Sequence, residues 1–131
     1  DITRAGIVGE GSAGQRDMLK TVQEAYTLGS QAMVPGADGK VIYQSVVDHF
    51  AAKGWDKYYV HHLSHGLGLG GDWPRIAPDG ADILEVGDAL SCEPGVYIPG
   101  LGGARVENMV YVDNGGPEEL TKSPLDLPMG L

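Results

Sequence analysis

Four residues of this 131-residue chain carry side chains suited to a divalent cation: Asp1, His65, Glu93 and Glu107, each near glycine or other small residues. Three carboxylates and one imidazole, with no thiolate, form a donor set that suits manganese, cobalt, iron or zinc. A carboxylate-rich set can bridge two metals about 3.5–4 Å apart, which polarises a carbonyl and supplies a hydroxide nucleophile near neutral pH. Acidic residues are common on strands, however, and spacing alone does not bring these four together. His65 sits in VHHLSHGLGLGGDWPRI, residues 60–76, beside His61 and His62. The glycines that follow it allow backbone and ligand to approach closely.

Several elements must position these groups. DITRAGIV reads as a short strand carrying Asp1, followed by the loop GEGSAG. From Gln15 to Val34, Leu19, Val22, Ala25 or Tyr26, and Met33 fall near helical spacing, with charged residues between them. Ser12 or the glycines around it can open that helix, and Pro35-Gly36 closes it. A second helix is predicted from about Gly39 to Lys53, where Ile42, Val46 and Phe50 recur every fourth residue. Asp38 is its expected N-cap and Gly54 its stop. KYYVHHL is rich in β formers and reads as a strand. DILEVGDALSCEPGVYI reads as a turn at Val86-Gly87-Asp88 and a strand running into Glu93. GARVENMVYV alternates, with Arg105, Glu107 and Met109 on one face. DNGGPEEL reads as a turn. Helices grouped ahead of a mostly antiparallel sheet define an α+β class, and no linker divides the chain.

Composition narrows the function further. Acids outnumber bases 18 to 9, for a net charge of −9, which argues against nucleic acid or an anionic membrane as partner. No run of about 18 apolar residues is present to span a bilayer. A single cysteine, Cys92, excludes a disulfide framework and fits a reducing, cytoplasmic setting. It reads as a buried small hydrophobe. His49 reads as an ordinary helix residue and His62 as a packing or surface residue. Trp55, Tyr59 and Tyr97 read as core, and Trp73 as core or as a wall of a substrate pocket.

SHGLGL, EPGVYIPGLGGARVE and the opening DITR occur in this order, and together they resemble the pita-bread metallopeptidases. The resemblance runs from Asp1 to about Thr121 and is nearest to the Xaa-Pro aminopeptidase and prolidase branch. It implies part of a pita-bread fold: a curved, mostly antiparallel sheet with helices on its outer face. It implies metal ligation by Asp1, His65, Glu93 and Glu107, with Asp1 and Glu107 bridging two divalent ions (Mn, Co or Zn). His61 matches a histidine near the scissile bond, and Arg105 an arginine beside the last ligand. On a strand, Arg105 shares a face with Glu107 and can brace it. The implied reaction is metal-assisted hydrolysis of a peptide with proline after the scissile bond. Glu93 is the implied carrier of a proton to the leaving imino nitrogen. A homodimer is also compatible with this branch.

The chain departs from the pattern at two places. The family's first aspartate ligand would precede Asp1. All 131 residues therefore read as the C-terminal portion of a catalytic domain whose N-terminal portion is absent. Such a portion is expected to hold at most one metal well and to be weakly active or inactive alone. Secondly, Asp72 stands seven residues after His65, where the branch carries a histidine able to donate to an oxyanion. An ionised aspartate only accepts hydrogen bonds. Asp72 either points away from the site, or lies at it with Trp73 and alters the substrate, or marks lost peptidase activity. A creatinase-like C–N hydrolase and a non-catalytic pita-bread binding module are the alternative functions. The four retained ligand positions count against both, and Asp72 counts for the first.

Overall fold

A computed structural model describes residues 1–69 and 73–125 of the chain. Among these residues two helices precede seven short strands, and every strand pairing is antiparallel. Helix α1 spans Ala13–Gln31 and starts two residues earlier than its apolar spacing predicts. The cause is Ser12, whose hydroxyl accepts from the Gln15 amide while the Gln15 side chain accepts from the Ser12 amide. This reciprocal pair satisfies two of the otherwise orphaned amides of the first turn. Helix α2 spans Gly39–Ala51, capped by Asp38, whose carboxylate accepts from the Lys40 amide. Gly54 closes the turn after it with φ +68°, a conformation that glycine adopts without a Cβ clash.

The two helices meet through small residues. A Cβ on Gly29 of α1 would touch Val46 of α2, Leu63 and Cys92 at 3.3–3.5 Å, so glycine sets how closely α1 seats on the core. Val22, Val46, Phe50, Leu63, Ile76, Leu90, Cys92, Val96, Val110 and Val112 are fully buried around this contact. Burial also pushes the Cys92 thiol pKa well up, which suits an inert core residue.

Strand β1 (Ile76–Ala77) pairs with β2 (Gly80–Ala81). Strand β3 (Ala89–Cys92) pairs with β6 (Asn108–Asp113), and β6 with β7 (Gly116–Glu119). Strand β4 (Gly95–Ile98) pairs with β5 (Gly102–Arg105). The fold is therefore α+β as expected, but four local expectations change. Residues 1–8 form no strand and make one bridge, Thr3 to Glu107. The β-rich KYYVHHL segment opens as a 3-10 turn at Asp56–Tyr58, because Tyr59 turns into the core beside Phe50 and Tyr43. GARVENMVYV splits into β5 and β6 at Val106-Glu107, where the backbone leaves one partner for another. DNGGPEEL is a turn only at Asn114-Gly115, and from Gly116 β7 runs back along β6.

Pairing beyond KYYVHHL builds the platform of the site. Leu63, His65 and Leu67 exchange backbone hydrogen bonds with Glu93, Ser91 and Ala89, so residues 63–67 run antiparallel along β3. Their other edge meets Ile76 through Leu63 and Ser64. Arg4 ties the N-terminal segment to the same platform. Its guanidinium donates to the carbonyls of Thr3, Glu107, Ser123 and Pro124 and to Asn108 Oδ1. One cation thereby ties Thr3, the Glu107-Asn108 pair and the Ser123-Pro124 pair together.

Candidate metal centre

The end of β3 and the start of β6 decide where the carboxylates go. Cys92 pairs with Asn108 in the ladder, so Glu93 and Glu107 flank that pair on adjacent strands. The Thr3–Glu107 bridge brings Asp1 alongside, and the 63–67 segment brings His65 from the opposite edge of β3. Non-local backbone pairing thus gathers four residues spread across the whole chain.

Two overlapping donor groups result: Asp1, His65 and Glu107, and His62, His65 and Glu93, with the donor atoms of each group within 4.8 Å of one another. His65 Nε2 lies 3.4 Å from Asp1 Oδ2 and 3.4 Å from Glu93 Oε1. Its Nδ1 lies 3.0 Å from the Gly66 carbonyl, which can only accept, so the proton of the neutral ring sits on Nδ1. The Nε2 lone pair then faces two carboxylate oxygens. Three lone-pair donors turned toward one another repel unless a metal ion or a proton on Nε2 lies among them, and a histidine whose other nitrogen donates to a carbonyl is the usual state of a metal ligand. Glu93 and Glu107 are each only 4% exposed, and a buried carboxylate is costly unless cations and hydrogen-bond donors face it. The residues therefore fit divalent metal ions, and Asp1, His65, Glu93 and Glu107 would hold them.

The surrounding groups fix these donors. Thr3 Oγ1 donates to Glu107 Oε2 at 2.6 Å. Arg105 Nε donates to Thr3 Oγ1 at 3.3 Å, and its Nη1 lies 3.5 Å from Glu93 Oε2. Arg105 accordingly braces Glu93 directly and reaches Glu107 only through Thr3. The expected direct contact with Glu107 fails because the strand breaks between the two residues. Ser91 Oγ accepts from the His65 amide at 3.0 Å and donates to Glu93 Oε1 at 3.0 Å, linking His65 to Glu93. Replacing Thr3 with valine keeps the shape and removes the hydroxyl. Manganese affinity, read by calorimetric titration, is expected to fall about 10–100-fold.

His61 stands at the edge of this cluster. Its Nδ1 donates to the His62 carbonyl at 2.7 Å, so its Nε2 accepts from the Tyr97 hydroxyl at 3.1 Å. Burial pushes the His61 pKa down and keeps the ring neutral. Tyr97, read from sequence as core, is half-exposed and serves as an orienting partner of His61 instead. His62, read as packing or surface, points at Glu93 with Nε2 3.0 Å from Oε1. Trp73 is 71% exposed. Asp72 lies outside the described residues. Thr3, Ser91, Tyr97 and His62 were not legible as site residues. Only Ser91 carried a signal, standing two positions before Glu93 and so on the same strand face.

Residues 1–114 match metallopeptidase family M24. The chain belongs to that family. Over 128 residues this M24 chain is 36% identical to the Xaa-Pro dipeptidase of Pyrococcus furiosus, covering 97% of the chain and 37% of that protein. Its structure superposes on the Xaa-Pro dipeptidase from Bacillus anthracis with a TM-score of 0.91 at 37% identity, over 99% of this chain and 37% of the other. For the X-Pro aminopeptidase from Thermotoga maritima the TM-score is 0.90 at 28% identity, over 100% of this chain and 37% of the other. The α+β arrangement is thus part of the pita-bread fold, and the family is one of dinuclear metallopeptidases. The chain spans a little over a third of the length of these relatives. Among the described residues, no helix is long and apolar enough to cross a membrane.

Proposed function

We propose that this chain is the C-terminal portion of the catalytic domain of a dinuclear metallopeptidase that hydrolyses Xaa-Pro peptide bonds in the cytoplasm. The observation that carries the reading is the His65 ring, whose proton on Nδ1 leaves the Nε2 lone pair facing Asp1 and Glu93. The similarity to two Xaa-Pro dipeptidases supports the substrate class. The single, buried cysteine is compatible with the compartment.

Bound divalent ions (manganese, cobalt or zinc) would supply Lewis-acid polarisation of the scissile carbonyl and acidify a water molecule. The remaining work falls to the chain's own side chains. Glu93 takes the proton of the attacking water and returns it to the leaving imino nitrogen. Arg105 and Ser91 keep its two oxygens apart and oriented. His61, held neutral by burial, accepts from the Tyr97 hydroxyl through Nε2, and this pair would flank the substrate. Thr3 keeps Glu107 in place. Asp1, His65, Glu93 and Glu107 suffice for one well-held ion in this chain, and a second ion needs donors from a longer protein. The isolated chain is therefore weakly active or inactive.

The test is hydrolysis of an Xaa-Pro dipeptide with and without manganese, by this chain and by a protein of the relatives' length that contains it. Manganese-dependent release of proline by the longer protein, and little by the chain, is the expected result. Cleavage by the isolated chain at the longer protein's rate overturns the assignment as a portion of the active unit. No cleavage by the longer protein with manganese present overturns the peptidase assignment.

A further inference from the structure

His62 lies outside the expected four-donor set, yet its Nε2 sits 3.0 Å from Glu93 Oε1. Its ring stands edge-on to His65, with centroids 5.7 Å apart and planes at 83°. Glu93 is almost fully buried and its carboxylate accepts, so in this contact the proton sits on His62 Nε2. The other contacts of Glu93 show what that proton adds. Ser91 Oγ donates to the same Oε1 while accepting from the His65 amide, so it ties that oxygen to the backbone at His65 and leaves a second contact on Oε1 to set the plane. Arg105 lies on the far oxygen, Oε2, at 3.5 Å, longer than a good charge-assisted hydrogen bond. The last torsion of a glutamate is broad and roughly two-fold, so a carboxylate plane needs firm contacts on it to stay fixed. His62 supplies a short contact from an imidazole that sits between His61 and His65 and is held in a row of edge-on rings.

We propose that His62 is a positioning residue that fixes the plane of the Glu93 carboxylate and thereby the geometry Glu93 offers to a metal ion. The inference rests on the reading of Glu93 as a metal ligand under Proposed function. His62 orients Glu93 from the side opposite Arg105, and the two contacts together hold the carboxylate plane. A glutamine at position 62 keeps an N–H at similar reach, whereas leucine has similar bulk and no donor.

The test is calorimetric titration of manganese into the wild-type chain and its H62Q and H62L variants, with melting temperatures in parallel. H62L is expected to bind manganese about 10–100-fold more weakly, the usual cost of losing a hydrogen-bond partner of a metal ligand. H62Q is expected to recover most of the affinity, with both melting temperatures close to wild type. If leucine unfolds the chain, H62A provides the donor-free comparison. Equal affinity in the donor-free variant and wild type overturns the proposal, as does an H62Q variant as weak as the donor-free one. A wild-type chain that binds no manganese overturns both this proposal and the metal-site reading. Manganese binding without Xaa-Pro cleavage by the longer protein overturns the function alone, and the affinity comparison still decides the role of His62.

Discussion

Replacing Glu93 with glutamine is expected to lower turnover of an Xaa-Pro substrate by about a thousandfold in the longer protein, the scale of losing a positioned proton carrier. The fold should survive. Glutamine is nearly isosteric, and its carbonyl oxygen can still accept from Ser91 and His62 at the position of Oε1. It cannot take up and return a proton, and its amide nitrogen would turn toward the Arg105 guanidinium, which also only donates. Alanine at the same place is a different experiment. It leaves the buried Ser91 hydroxyl facing a gap beside the partly exposed His62 and Arg105, and leaving one buried polar group unmatched costs about 1–3 kcal/mol. Glutamine should therefore give an inactive but stable protein, and alanine an inactive and destabilised one. Turnover and urea unfolding measured on both variants separate the chemical role from the structural one. A Glu93→Gln protein that keeps activity within tenfold of wild type removes Glu93 from proton transfer.

The second large effect is expected at Gly66, where the cause is space rather than charge. A Cβ there would lie 1.8 Å from the Trp73 carbonyl oxygen, 2.3 Å from its carbon and 2.9 Å from Pro74 N. All three are backbone atoms, so no side-chain rotation relieves the clash. Gly66 also carries the carbonyl that holds His65 Nδ1, and Leu67 next to it bonds the Ala89 carbonyl. Either the Trp73–Pro74 backbone lifts or the His65 platform retreats from β3. Gly66→Ala is expected to cost about 3 kcal/mol or more, at the upper end for overpacking. Manganese affinity should fall with it, because His65 moves whichever way the strain resolves. Gly80→Ala is the matched control. A Cβ on Gly80 meets nothing within 4 Å, so its effect should stay within about 0.5 kcal/mol. Equal stability of the two variants in urea would show that close backbone approach at Gly66 is not what seats His65.

The helices were legible because their signals are local. The recurrence of Ile42, Val46 and Phe50, the cap at Asp38 and the stop at Gly54 all lie within one segment, and α2 follows them closely. For α1 the spacing missed the first turn, since the Ser12–Gln15 box extends a helix beyond its apolar stripe. The strands were less legible. Tyr58 and Tyr59 looked like strand residues because aromatic side chains favour both strands and cores, and Tyr59 takes the core. The alternation through GARVENMVYV concealed the break at Val106-Glu107, because both residues there are buried whatever their parity.

The same division holds for the site. Asp1, His65, Glu93 and Glu107 were named from motifs in order, and backbone pairing between distant segments brings them together. The residues that orient them were hidden because each acts across the chain. Thr3 meets Glu107 over 104 positions and His62 meets Glu93 over 31, and no period or spacing encodes such a pair. Arg105 shows the error in the other direction: strand parity matched it to Glu107, while the change of strand partner turned it to Glu93.

The most direct test of the account is calorimetric titration of manganese into the chain, beside its His65→Ala variant. The arrangement of Asp1, His65, Glu93 and Glu107 predicts one ion bound per chain, with the binding heat lost when the imidazole is removed. Indistinguishable titration curves for the two proteins, or no binding by wild type, would contradict it.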